Sequence, residues 1–277
     1  MATAAVSLVS CDEVKPDDRY IEGPEVKAER AVLLEDFTGQ MCLNCPAAHE
    51  VIEQLEEQYG KDKVIAVSIH SGALSLPVQF TSFDNDRVGL MTAEGNAIME
   101  SYGIETFPMG VINMGSPEVC DLWATSVREA LQQSTDVTIN LETSYTPNPD
   151  KTDNGNERYG TIGVKATVKS GSSRNANIQF WIVENGIVAQ QRNGRETDMN
   201  YVHNNVFRAQ MLNGLKGEAI TLTENLDFEK EASIPIRWTS TEHWVLENLS
   251  VVAFVSDNAG VLQVVRVPLV GQEETEE

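Results

Sequence analysis

Two cysteines three positions apart, Cys42 and Cys45, stand where a short apolar run gives way to a helical stripe. Ala31-Val32-Leu33-Leu34 reads as a buried strand and Val64 to Ile69 as a second. Between them the spacing predicts a helix from near Cys42 to Tyr59. Pro46 suits its first turn, Ala48, Val51, Ile52, Leu55 and Tyr59 form its apolar stripe, and Gly60 stops it. Strand, helix and strand make a βαβ unit with the C-x-x-C at the strand-to-helix turn.

A second short helix is expected over Ala93 to Tyr102 and a strand over Met109 to Asn113. Ser116-Pro117-Glu118 then offers a cap, a first-turn proline and an acid to open a helix ending near Gln133. Beyond it the period changes from helical to alternating. Asp136–Tyr145, Gly163–Lys169, Asn177–Glu184, Ile187–Gln190, Glu218–Thr223, Ala232–Trp238, Leu249–Ser256 and Val261–Leu269 read as strands, with Asn185-Gly186 as a hairpin turn. Pro147 to Glu157 reads as a long hairpin loop. Short strands with turn signals predict an all-β, immunoglobulin-like sandwich over 135–277, after an α/β domain over 31–134. Each half carries its own apolar pattern, so each is expected to fold alone.

With 277 residues and 42 acidic against 20 basic side chains, the formal charge is -22. That charge repels nucleic-acid phosphates and anionic lipid surfaces, so neither is expected as a partner. No stretch approaches the ~20 apolar residues of a membrane-spanning helix. Ala2 to Ser10 is small and apolar and ends in Leu8-Val9-Ser10-Cys11. This resembles the lipobox of bacterial lipoproteins and marks Cys11 for lipidation. The segment lacks a basic n-region, so the true start is expected upstream of Met1. Residues 12–24 are acidic and aperiodic, and 1–30 is therefore read as a truncated signal and disordered tether.

A helix N-terminus favours a thiolate, which makes Cys42 the attacking thiol and Cys45 the resolving one if the pair exchanges disulfides. Zinc is the competing reading, but His49 is the one further ligand near in sequence, and haem attachment needs His where Pro46 stands. No metal or cofactor is expected. Cys120 shares a helical face with Trp123, Val127 and Ala130 and reads as a buried thiol. His203 and His243 read as structural.

Asp36-Phe37 ahead of the cysteines, the C-x-x-C itself, Pro46 after it, and Tyr102-Gly103-Ile104 followed by Phe107-Pro108 resemble the thioredoxin-like superfamily in order and spacing. The resemblance implies a thioredoxin-like fold for 31–134, a cis Phe107–Pro108 bond at a substrate-facing edge, and Asp36 as proton acceptor for Cys45. Met41 and Leu43-Asn44 depart from the tryptophan and the Gly-Pro of efficient thioredoxins. Thr38-Gly39-Gln40, the Cys45-Pro46-Ala47-Ala48-His49 run, Tyr201 to Arg208 and the lipobox together resemble lipoproteins related to outer membrane protein twenty-eight of Gram-negative bacteria. That resemblance implies an outer-membrane lipoprotein, anchored through Cys11 and facing the periplasm or the surface. Two functions stay open. One is an enzyme exchanging disulfides with cysteine-containing envelope proteins; the other is a non-enzymatic binding or adhesion protein with a structural Cys42–Cys45 disulfide.

Overall fold

The computed structural model describes residues 30–85, 87–148 and 159–269. Cys11 and the tether, and most of the Pro147 to Glu157 loop, lie outside the described residues. The first half runs β1 (Val32–Thr38), α1 (Cys45–Tyr59), β2 (Val64–His70), α2 (Ala93–Ser101), β3 (Met109–Ile112) and α3 (Cys120–Leu131). The second half is all strand: β4 (Val137–Pro147), β5 (Gly160–Ser170), β6 (Arg174–Glu184), β7 (Ile187–Asn193), β8 (Glu196–His203), β9 (Val206–Gln210), β10 (Glu218–Leu222), β11 (Asp227–Pro235), β12 (Leu249–Asp257) and β13 (Gly260–Pro268).

β1 and β2 pair in parallel, with α1 as the crossover, and β3 adds antiparallel to β1. The sheet does not end there. β2 meets β9 through Ser68 and Val206, and the order continues through β6 and β12 to β13, with β10 also paired to β6. A three-stranded sheet, β11-β5-β4, packs on the distal part of this eight-stranded one, and β7-β8 forms a separate hairpin.

This corrects the expected fold class. The described residues hold thirteen strands against three α-helices, and no self-contained α/β thioredoxin-like domain precedes a free-standing immunoglobulin-like sandwich. The physical reason lies in what covers β1 and β2. On one face Val32, Leu34, Val64 and Ala66 bury against Ala48, Ile52 and Leu55 of α1 and Trp123 and Val127 of α3. On the other, Leu33, Phe37, Ile65, Val67 and Ile69 meet α2 and also Trp181, Val183, Phe207, Val252 and Phe254 of the second half. The halves therefore share a hydrophobic core, and at about 25 cal/mol per Å² of apolar area neither gives that face up cheaply.

Two elements start later than expected. α1 begins at Cys45, with Asn44 at the N-cap position making no side-chain capping bond and Pro46 in its first turn, so Cys42 lies in the preceding turn. α3 begins at Cys120 because Glu118 exchanges both backbone hydrogen bonds with Gly110 and accepts one from the Trp123 indole, holding Ser116–Glu118 extended along β3.

Candidate functional site

β1 delivers the chain to a tight turn at its C-terminal end. Gly39 is needed there, since a Cβ would lie 2.8 Å from the Leu74 carbonyl oxygen. The Cys42 amide donates to the Gly39 carbonyl at 3.0 Å, and Cys42 and Cys45 are joined by a disulfide with their Cα atoms 5.5 Å apart. Both cysteines are buried, at 3% and 0% exposure, whereas Met41 and Leu43 beside them are 46% and 53% exposed. The turn thus hides its sulfurs and presents its apolar side chains.

The β7–β8 hairpin is tied to the backbone of this turn. Gln191 Nε2 donates to the carbonyls of Cys42 (3.0 Å) and Gly39 (3.3 Å), and the Arg192 amide donates to the Gln40 carbonyl at 2.7 Å. Gln40 is fully buried and works as a knot. Its Nε2 donates to the carbonyls of Val88 and Gln190, and its Oε1 accepts from the amides of Leu76 and Leu90. Turn, hairpin and the irregular segment after β2 are tied through this one side chain.

Behind the disulfide lies a polar cluster. The buried Asp36 carboxylate accepts from Ser68 Oγ at 3.1 Å, and His49 Nε2 lies 3.5 Å away. His49 also contacts Thr38 Oγ1 at 3.0 Å and the Tyr201 hydroxyl at 2.8 Å through its two ring nitrogens. The partners of Asp36 are therefore Ser68 and His49. Burial, and then the charges of Glu53, Asp36, Glu50 and Asp198, push the Tyr201 hydroxyl up to about 12. Deeper in, the His203 ring packs against Tyr201 and His70 with centroids 4.8 and 5.0 Å apart. Burial, then the His49 ring, push His203 down to about 3, against the opposing pull of the backbone carbonyls of Gln190 and Ala189.

The Phe107–Pro108 bond is cis, and Phe107 packs beside the Gly72 turn that also carries the exposed Leu74. Cys120 is buried at the start of α3, on the helix face with Trp123. Among the described residues no group of three or more His, Cys, Asp or Glu side chains is arranged to hold a metal. Reading the sequence missed Gln191, Tyr201, His70 and the inward role of His203. The available signal was Tyr201 and His203 two residues apart, which on a strand share a face.

The Omp28 family, described as outer membrane protein Omp28, matches residues 95–273, well over half of the chain. No curated protein sequence matches. Among solved structures, HBP35 of Porphyromonas gingivalis is similar at 15% identity, over 91% of this chain and 80% of that one, with a TM-score of 0.63, a likeness of fold. A domain of the outer membrane lipoprotein Omp28 of the same organism matches at 22% identity over 51% of this chain and 93% of its own, with a TM-score of 0.31. The chain belongs to the Omp28 family of outer membrane proteins, in keeping with the location expected from its sequence.

Proposed function

We propose that the protein is a non-enzymatic binding lipoprotein of the outer membrane, anchored through Cys11, in which the Cys42–Cys45 disulfide is structural. One observation carries the reading: both cysteines are buried in a turn that the β7–β8 hairpin holds by hydrogen bonds, while the neighbouring Met41 and Leu43 are exposed. A disulfide that attacks or is attacked by another protein needs an accessible sulfur. A disulfide that pins a turn needs only to hold it, and here it fixes two apolar side chains on the surface. With Leu74, and Phe107-Pro108 behind it, they form an apolar rim suited to an extended apolar segment of another envelope protein, with or without cysteines.

Trapping decides between this and disulfide exchange. In an exchange enzyme Cys45→Ser strands the mixed disulfide that Cys42 forms, and adducts that disappear on reduction accumulate in the envelope. A structural pair gives no such adducts with Cys45→Ser, while a photo-crosslinker at position 43 still captures a partner in oxidised wild type. Reducible adducts specific to Cys45→Ser and absent from Cys42→Ser would replace this proposal with the enzyme. Palmitate labelling lost in Cys11→Ala checks the anchor.

A further inference from the structure

The hairpin over the disulfide is held mostly by polar contacts. Its buried apolar support is small, Ala189 against Leu90 and Val206 with Val88 and Ile187 at the margin. Such an element belongs to the low-stability end of a fold and opens before the core does. Among its buried side chains is His203, whose ring lies at the end of β8 against His70 at the end of β2, each histidine 2% exposed.

We infer that the β7–β8 hairpin is an acid-released cover: protonation of the buried His70–His203 pair lifts it from the Cys42–Cys45 turn and bares the disulfide. The groups facing the pair do not welcome a cation. His49 comes from α1, Arg208 from β9 and Tyr201 from β8, and the carboxylate beside His49, Asp36 of β1, holds Ser68 and His49 through Oδ2 while its Oδ1 is buried without a partner. Glu50, Glu53 and Asp198 lie around the Tyr201 hydroxyl on the outer side. Burial, then the His203 and His49 rings and Arg208, hold His70 well below its ordinary value, and His203 is lowered likewise.

The sign follows from linkage. Both histidines are depressed in the closed form and return to about 6.5 once the hairpin leaves, so the open form binds more protons. Closure is complete above about pH 6.5 and weakens below it, by up to tenfold per pH unit for each ring freed. Between pH 7.5 and 5.0 one ring gives about thirtyfold. The inference goes beyond the proposed function, since it concerns access to the disulfide and not what the exposed rim binds.

The test is the rate at which a phosphine reductant cleaves Cys42–Cys45 in the full chain at pH 7.5 and 5.0. Each rate is divided by that of the urea-unfolded chain at the same pH. The ratio should rise at least about thirtyfold on acidification in wild type and in His243→Gln, and stay within about threefold in His70→Gln/His203→Gln. Hydrogen exchange of wild type supplies a second readout independent of any variant. Amides of residues 187–203, corrected for intrinsic rates, should lose protection while β12 keeps it. A flat ratio in wild type, an equal rise in the double variant, or simultaneous loss of protection in β12 would overturn the inference.

Discussion

Glu35 sits in the middle of β1, 1% exposed, with its carboxylate accepting from the Tyr102 hydroxyl at 3.1 Å. Burial lifts it to about 8, against the hydrogen bond from Tyr102. The carboxyl is then protonated at neutral pH in the fold and ionised in the unfolded chain. A raised acid of this kind leaves stability intact below about pH 4.5 and drains it as pH rises toward 8. Glu35→Gln should therefore gain on the order of 4 kcal/mol at pH 8, with the gain nearly vanishing near pH 4.5, in denaturant titrations at both values. A variant less stable than wild type at pH 8 would show that the ionised form is the one held. Alternation puts Glu35 on the same face as Leu33 and Phe37, but an acid there gives no sign in sequence that it stays protonated. Tyr102 and the α2 segment cover that face together with strands of the second half.

The elements with a strong period were the legible ones. The stripe of α1 and the apolar run of β12 come from residues that must be buried somewhere, and local spacing says where. β8 and β9 give little strand signal in sequence: Glu196–His203 is almost wholly exposed and polar, and Val206–Gln210 is a five-residue run broken by the buried Arg208. The candidate site suffered for the same reason: Cys42, Cys45 and their turn could be found by spacing, but the hairpin that covers them is polar and about 150 residues away. Gln40 carries that long-range tie. Gln40→Ala removes four hydrogen bonds, although the Val88 carbonyl keeps Gln190 Nε2 and the Leu90 amide keeps the Leu76 carbonyl, and should cost about 1–3 kcal/mol. Hydrogen exchange should show the loss first in 187–203 and 76–90. A cost below 0.5 kcal/mol, at the level of ordinary surface changes, would mean that the hairpin is held by something else.

At the scale of the whole molecule, one sheet runs through both halves. A fragment ending at residue 134 uncovers Phe37, Ile65, Val67 and Ile69 where Trp181, Phe207, Val252 and Phe254 pack. The fragment should bind an apolar dye and unfold without a cooperative transition, whereas the intact chain melts in one step. Two independent transitions in the intact chain would instead support division near Ser134. The halves were read separately because each has its own apolar pattern, and pattern does not reveal which faces meet. The shared sheet brings a hairpin of the second half against a disulfide of the first. The direct measurement is the rate of dithiothreitol reduction of Cys42–Cys45 at pH 7.5, native chain against the same chain in urea. A sealed structural disulfide should react at least about a hundredfold more slowly in the native chain, since attack waits on opening. A native rate equal to or above the unfolded one would contradict the seal and return the pair to exchange chemistry.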